Sequence, residues 1–204
     1  MSMGPKTRRE REREALRQII MDAARELFVE EGFENVSMRR IAEKIEYSPT
    51  TIYLYFEDKL ALLYAICEET FAKLAKRMEV IRKEADHPVE ALRKGCRAYI
   101  EFGLKHPNHY KLTFINTPQH TKDPNWKVEN SMGMQAYGHL RGAVEACIEK
   151  GIFRATDVDA VSQMFWAAGH GLTSLLITKT HFPFVNKNQL IDMTLDTLIE
   201  GLKR

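Results

Sequence analysis

Residues 47–56 read YSPTTIYLYF, a stretch that decides how the chain folds. Ser48 can cap a helix, because its hydroxyl accepts a hydrogen bond from a free N–H of the first turn. Pro49 fits the first helical position, where its missing N–H costs nothing. Ile52 and Phe56 are four residues apart and are expected to face the core. The stretch therefore predicts a short helix whose outer faces and edges carry hydroxyl groups. These groups belong to Thr50, Thr51, Tyr53 and Tyr55.

A second short helix is expected directly before this one. Ser37 can cap it, and Val36 and Ile41 can form a hydrophobic staple around the cap. Only residues 46–48 are then left between the two helices. So short a turn makes two helices cross at a steep angle instead of packing antiparallel.

Nearly every other segment also has its apolar residues at helical spacing. A first helix is predicted over residues 8–31 and is stopped by Gly32. Asp58 caps a long helix that ends before His87. Proline and glycine residues mark the borders of the further helices. These are predicted at about 88–105, 107–116, 124–150, 156–180 and 187–203.

Composition limits the class of protein. Hydrophobic residues make up 44% of the chain and charged residues 28%, as in ordinary globular proteins. No apolar run approaches the roughly 18–20 residues of a membrane span, so no membrane partner is expected. The N-terminus has no apolar signal segment and three scattered cysteines suit a reducing compartment, so we expect a cytoplasmic protein.

Overall charge does not by itself indicate a nucleic-acid partner. The formal net charge is +2, and residues 1–60 hold eleven basic and twelve acidic side chains. Binding to DNA would therefore have to depend on where the cations lie.

Residues 17–63 resemble the DNA-binding domain of the TetR/AcrR family of transcriptional regulators. The resemblance rests on several short blocks at matching spacing. They are AA-x-x-LF-x-x-x-GF at 23–33, Ser37, the Ile41-Ala42 pair, IY-x-YF at 52–56 and Lys59.

This resemblance implies an all-α fold of about nine helices. Residues 1–60 would form a three-helix, homeodomain-like helix-turn-helix domain that binds DNA, and residues 61–204 a helical domain that dimerises and binds a ligand. The expected function is a repressor that holds a palindromic double-stranded DNA operator as a homodimer. A small apolar or aromatic effector would release it, and no cofactor is expected.

The resemblance also implies roles for single residues. The start of the second helix would hold phosphates, the threonines of the third would face bases, and its tyrosines, with Lys59, would clamp the DNA backbone. The predicted DNA-binding residues are Ser37, Arg39, Arg40, Tyr47, Ser48, Thr50, Thr51, Tyr53, Tyr55 and Lys59. Two residues depart from the family pattern: Glu46, where a small residue or glycine is usual, and Leu54, where a polar residue is usual. They leave the operator sequence open.

The C-terminal part is less specific. WAAGHGL at 166–172 resembles a ligand-domain subtype named for its Trp-His-Gly signature. Aromatic, methionine and histidine side chains are the candidates for an effector pocket, although core packing is the alternative for each one. They are Phe102, His106, Tyr110, Phe114, Met132, Met134, Tyr137, Trp166 and His170. The last two helices are candidates for the dimer interface, with an ordinary intrachain core as the alternative. The interface residues would be Met164, Phe165, Leu172, Leu176, Leu190, Met193 and Leu198.

Other functions have weaker support. His106 and His109 lack a convincing third ligand, so no metal site is expected. The chain has none of the common nucleotide-binding, hydrolase or metalloprotease motifs, so we do not expect an enzyme. A helical protein-interaction adaptor with a non-functional helix-turn-helix and a helical enzyme without a motif remain as alternatives. So does a regulator that activates transcription or that has no small ligand.

The N-terminal arm, residues 1–15, has two interpretations. Its TRRERERE run could be a solvated helix start with ion pairs at i,i+3: Arg9–Glu12, Glu10–Arg13 and Glu14–Arg17. It could instead be a basic arm that touches DNA.

Overall fold

The computed structural model describes residues 7–115, 130–154 and 156–204. Within these ranges the chain forms nine α-helices and no strand, which confirms the predicted all-α class. The helices are α1 (Arg8–Glu30), α2 (Met38–Lys44), α3 (Pro49–Tyr53), α4 (Lys59–Glu84), α5 (Pro88–Lys105), α6 (Pro107–Tyr110), α7 (Met132–Glu149), α8 (Val158–Thr178) and α9 (Lys187–Glu200). A π-helical turn, Lys111–Ile115, continues α6.

Most helix borders follow the predicted caps. α1 ends before Gly32, whose φ of 84° is the left-handed conformation that favours glycine after a helix. The Asp58 carboxylate accepts a hydrogen bond from Ala61 N at 2.7 Å and so caps α4. The helix predicted at 124–150 begins at Met132, and residues 124–129 lie outside the described residues. No described helix is long and apolar enough to span a membrane.

The chain divides into two compact units, and the first contains the helix-turn-helix. Among the described residues it comprises 7–68 and 108–115. Its core is apolar and closely packed, with Ile20, Leu27, Phe28, Ile41, Ile52 and Leu62 each at most 1% exposed. The predicted domain border after residue 60 falls inside the first turn of α4, and the helix contributes Leu63, Ile66 and Cys67 to this same core.

The second unit comprises the described residues of 69–107 and 127–204. Its helix α5 packs against α7, α8 and α9. Two arginines of α5 also pair with α9: Arg97 and Arg93 both bind the Asp192 carboxylate, and Arg93 binds Asp196. The hydrogen bond from Arg97 is the main reason that the pKa of Asp192 lies below its usual value. These contacts tie α9 to α5.

Candidate nucleic-acid interface

Two serine caps set the beginnings of α2 and α3. Ser37 Oγ accepts from Arg40 N at 3.1 Å, and Ser48 Oγ accepts from Thr51 N at 3.1 Å. Pro49 occupies the first turn of α3, as the sequence predicts. Each short helix therefore begins where its own cap places it.

Residues 45–48 separate α2 from α3, one residue more than predicted, because Ile45 is the C-cap of α2. Tyr47 N donates to Ala42 O at 3.0 Å and closes the turn. Glu46 has a φ of 60°. This left-handed conformation is uncommon for residues other than glycine. Glu46 thus stands at a position where the family pattern has a small residue or glycine, and its left-handed backbone would suit glycine.

The helix α3 is shorter than the stretch that predicted it. It ends at Tyr53, and residues 54–56 follow as a turn in which Phe56 N donates to Ile52 O at 3.1 Å. Ile52 and Phe56 are still buried, at 0% and 4% exposure. Leu54 is the most exposed large apolar side chain of the protein's described part, at 72%.

The predicted base-facing and backbone-facing hydroxyls divide into exposed and half-buried groups. Tyr47 and Tyr53 are 45% and 54% exposed, and Thr50 is exposed beside them. Thr51 and Tyr55 are half-buried. Thr51 Oγ1 lies 2.8 Å from Ser48 Oγ, so its hydroxyl takes part in the cap. The side chains that are free to meet a large partner are therefore Tyr47, Thr50 and Tyr53.

The three predicted phosphate-binding cations each have a partner within the chain. Arg39 pairs with Glu43 at 3.0 Å, and Arg40 pairs with Glu31 at 3.0 Å. Exposed pairs of this kind contribute about 0–1 kcal/mol and exchange readily for another anion. Both arginines can therefore turn to a phosphate at small cost.

Lys59 is held more firmly. Its Nζ donates to Phe33 O at 2.6 Å and to Glu34 O at 3.3 Å, and it lies 4.4 Å from the centre of the Phe33 ring. The prediction assigned this side chain to DNA alone. The contacts give it a structural role as well, because it joins the start of α4 to the turn after α1.

Two arginines of α1 that the predicted DNA-binding set did not include lie against the residues that follow α3. The Arg13 guanidinium lies 6.0 Å from the centre of the Tyr55 ring, and that of Arg17 lies 5.2 Å from the centre of the Phe56 ring. Their spacing of four residues was the available signal, since it places both on one face of α1.

The second unit brings three of the predicted pocket residues together. The ring centres of Tyr137 and Trp166 are 6.2 Å apart, and those of Trp166 and His170 are 6.5 Å apart. Tyr99, which the sequence did not single out, places its hydroxyl 3.3 Å from His170 Nδ1. Burial lowers the pKa of His170. The Tyr137 hydroxyl is buried and has no hydrogen-bond partner among the described residues.

The other predicted pocket residues lie elsewhere. The ring centres of Phe102 and His106 lie 5.2 Å apart in the second unit, with the rings tilted by 50°. Tyr110 and Phe114 belong to the first unit, where their ring centres are 4.7 Å apart and Tyr110 is fully buried. Met132 is half-buried and Met134 is 38% exposed. No group of three or more metal-binding side chains occurs in the described ranges, where His106 and His109 both lie.

The predicted interface residues of α8 and α9 fall into two classes. Phe165, Leu172 and Leu176 are at most 9% exposed in the single chain, so little of their surface is left for a second copy and their place in an interface stays a prediction. They lie on the face of α8 that packs inside the protomer. Met164 and Met193 are 37% and 57% exposed. Leu190 and Leu198 are half-buried.

Two family models match the chain. The model "Bacterial regulatory proteins, tetR family" matches residues 20–66, and the model "Tetracyclin repressor-like, C-terminal domain" matches residues 92–200, more than half of the chain.

Curated relatives carry names of the same kind. The HTH-type transcriptional repressor NicS of Pseudomonas putida is 28% identical over 138 residues, which cover 66% of this chain and 64% of NicS. An uncharacterised HTH-type transcriptional regulator of Bacillus subtilis, YuxN, is 31% identical over 94 residues, or 46% of this chain and 32% of YuxN. The chain thus spans less than two thirds of the length of these relatives.

Solved structures share the fold along nearly the whole chain. FadR of Bacillus subtilis, in complex with stearoyl-CoA, has a TM-score of 0.77 at 23% identity and covers 91% of this chain and 98% of FadR. The ketosteroid transcriptional regulator KstR2 of Mycobacterium tuberculosis has a TM-score of 0.70 at 19% identity and covers 92% and 95%.

Proposed function

Since the chain belongs to the TetR family of bacterial regulatory proteins, we propose that it represses transcription by holding a palindromic operator as a homodimer and leaves the DNA when a small effector binds. The observation that carries the proposal is the surface of the helix-turn-helix. Two capped short helices and the turn between them present Tyr47, Thr50 and Tyr53 outward over a fully buried Ile52. The proposed role is binding, not catalysis, and its place is the cytoplasm, where a bacterial operator lies.

In this proposal α3 enters the major groove of the operator. Thr50 approaches base edges, and the hydroxyls of Tyr47, Tyr53 and Tyr55 donate to phosphate oxygens. Arg39 and Arg40 exchange their carboxylates for phosphates of the flanking backbone. Ser37, Ser48 and Thr51 act mainly by holding the two helix starts, while Lys59 holds the turn that precedes them.

In this proposal a second copy of the chain supplies the second helix-turn-helix that a palindromic operator requires. A five-residue helix offers few contacts, and two copies can read half-sites about 34–36 Å apart, one turn of DNA. We place the dimer contact on the exposed apolar side of α8 and α9. It includes Met164, Leu175 and Met193, with Leu190 and Leu198 at its edge. A second copy of the same face would remove these side chains from water.

The proposed effector contacts Tyr137, Trp166 and His170. These rings offer apolar surface, and the partnerless Tyr137 hydroxyl offers one hydrogen bond. A buried hydroxyl without a partner costs about 1–3 kcal/mol, which a ligand acceptor could recover. The neighbours FadR, solved with stearoyl-CoA, and KstR2, a ketosteroid regulator, support an effector that is largely apolar.

The effector would act by shifting a population. α4 contributes its first turns to the first unit and its later turns to the second. An effector that prefers a different position of α4 would move the two helix-turn-helix domains of the dimer out of register with the operator. It can do so only by its difference in affinity between the DNA-binding state and the released state. A coupling of about 1–3 kcal/mol is typical.

The DNA part of the proposal is tested with fluorescent DNA from upstream of the protein's own coding sequence. We expect wild type to bind with an affinity that falls steeply with salt, and Thr50→Ala with Tyr53→Phe to bind weakly with an unchanged melting temperature, since both side chains are exposed. Lys76→Ala with Arg77→Ala, exposed on α4, is the control and should bind like wild type. No salt-dependent binding by wild type to this or pooled genomic DNA would refute the proposal and favour a protein-interaction adaptor.

The effector part is tested with stearoyl-CoA and a ketosteroid as probes, by release of DNA and by tryptophan fluorescence. We expect Tyr137→Phe to keep DNA binding and to be at least as stable as wild type, but to weaken the response to an active probe about five- to twenty-fold, the loss of one hydrogen bond. Gln135→Ala, at an exposed position of the same helix outside the predicted pocket set, is the control. An equal response of Tyr137→Phe and wild type would remove Tyr137 from the effector site.

A further inference from the structure

The first helix begins well before the first residue that it contributes to the core. Thr7 caps it in a reciprocal arrangement with Glu10, in which each side chain binds the other residue's backbone N–H. Every residue from Thr7 to Ala15 is exposed, and the first fully buried side chain of α1 is Ile20. We refer to residues 7–15 as the α1 arm. At about 1.5 Å per residue it extends the helix by roughly 13 Å.

The register of α1 gives the arm a defined inner face. Ile20, Ala24 and Leu27 form the buried stripe of the helix. Steps of three and four residues backward from Ile20 continue this stripe through positions 17, 13 and 9, all of them arginine. The apolar stripe thus becomes a stripe of cations where the helix leaves its core.

Two contacts show which way this stripe faces. Arg17 lies over the Phe56 ring at 5.2 Å, and Arg13, one turn further out, lies over the Tyr55 ring at 6.0 Å. Tyr55 lies two residues beyond the end of α3 and belongs to the proposed DNA-binding set. Arg9, one turn beyond Arg13, stands on the same face.

The stripe carries charge that is not neutralised within the chain. The predicted i,i+3 pairs of the arm do not form, and its ion pair is Arg8–Glu12 at 2.7 Å. Arg9, Arg11 and Arg13 form no ion pair with any residue that the structure describes. Glu10 is engaged in the cap. The inner face of the arm is therefore positive, although the arm holds three glutamates.

From this placement we infer that the α1 arm is a further DNA-contacting element, in which Arg9 and Arg13 bind phosphates of the backbone strand that Tyr55 reaches. This inference rests on the proposed DNA-binding function. Guanidinium groups form strong, geometrically specific contacts with phosphate oxygens. Phosphates fit the arm better than an acidic protein would, because the stripe lies against Tyr55 of the proposed DNA-binding set and a strand of DNA provides negative charges in a line. The contacts add affinity and register but do not read the sequence.

The test compares two double variants of the full chain that each remove two positive charges. Arg9→Ala with Arg13→Ala removes the inner stripe, whereas Arg8→Ala with Arg11→Ala removes charge from the other faces of the same turns. Affinity for the upstream DNA is measured by anisotropy over a salt series, with melting temperatures as the folding control. Two phosphate contacts per chain predict a salt slope, log K against log salt, that is smaller by about 1.8 per protomer and 3.6 per dimer.

We expect the inner-stripe variant to show this smaller slope and the control variant to keep nearly the wild-type slope. Phosphate ethylation interference should also disappear at positions flanking the half-site in the inner-stripe variant alone. If both variants bind DNA with the same slope, the arm acts only through its net charge and the inference is overturned, while the proposed function stands. If wild type binds no DNA, the proposed function fails and the arm inference fails with it.

Discussion

Replacing Lys59 by methionine should destabilise the protein, because the ammonium group holds the turn after α1. Lys59 Nζ donates to Phe33 O at 2.6 Å and to Glu34 O at 3.3 Å, and it lies 4.4 Å from the centre of the Phe33 ring. Methionine keeps the length and the apolar part of the side chain but removes the charge and all three donors. The substitution therefore isolates the polar contacts of the head group.

The size of the effect follows from these contacts. A hydrogen bond to a charged group contributes at least about 1.5 kcal/mol, and a partly exposed cation–π contact adds about 0.5 kcal/mol. Lys59 is half-buried, so the lower end of each range applies and the expected loss is about 2 kcal/mol. In a chain of this size each kcal/mol corresponds to about 2–4 °C, so the melting temperature should fall by about 4–8 °C.

Thermal unfolding by circular dichroism measures the change, and DNA binding in a salt series separates the two roles of Lys59. A structural role predicts a lower melting temperature together with a nearly unchanged salt slope well below that temperature. Lys76→Met, at an exposed position of the same helix, should leave both unchanged. An unaltered melting temperature with a slope smaller by about 0.9 per protomer would refute this reasoning and assign Lys59 to a phosphate.

Three further changes test the turn, a helix and an ion pair. Glu46→Gly should be neutral or raise the free energy of unfolding by up to about 1 kcal/mol, since glycine accepts the φ of 60°. Glu46→Val should lower it by at least about 1 kcal/mol. Equal denaturation midpoints of the two variants would contradict this reasoning. Gly169→Ala should raise the free energy of unfolding by up to about 1 kcal/mol, because alanine favours helices and the new methyl would lie 3.6 Å from Tyr99, an ordinary contact. A lower denaturation midpoint would show that Tyr99 cannot accommodate the methyl group. Asp192→Asn should lower the melting temperature at neutral pH. Because Arg97 depresses the pKa of the Asp192 carboxyl in the folded protein, the stability that this carboxylate contributes is present above the usual Asp pKa and is lost as the pH falls through the depressed pKa. The melting temperatures of wild type and variant should therefore converge in acid. A difference in melting temperature that does not depend on pH would exclude the ion pair as its cause.

The features predictable from sequence are those that depend on neighbours along the chain. Ser37 and Ser48 cap as predicted because a cap needs only the next three residues. Gly32 ends α1 for a similarly local reason. The all-α fold follows from the sum of many such signals together with regular apolar spacing.

The features that sequence reasoning missed depend on distant residues. Lys59 binds carbonyls 25 and 26 positions away, a contact that no pattern around Lys59 reveals. An apolar stripe on α8 indicates which side chains avoid water, but not whether a core or a second chain covers them. Phe165 therefore lies in the core and Met164, one position earlier, on the surface. Tyr99 was missed because only the fold brings α5 beside His170.

The charges of the first unit suggest a division of labour in binding DNA. Arg39 and Arg40 must give up carboxylate partners before they can hold phosphates, and this exchange lowers their net contribution. Arg9 and Arg13 have no such partners in the described ranges, so their contact with phosphate costs only the ordering of the side chains. The helix-turn-helix would then supply orientation and sequence reading, and the α1 arm a larger share of the salt-dependent affinity. The slight excess of acidic residues in positions 1–60 is therefore compatible with DNA binding, because a phosphate is attracted by the unpaired cations near it and not by the average charge.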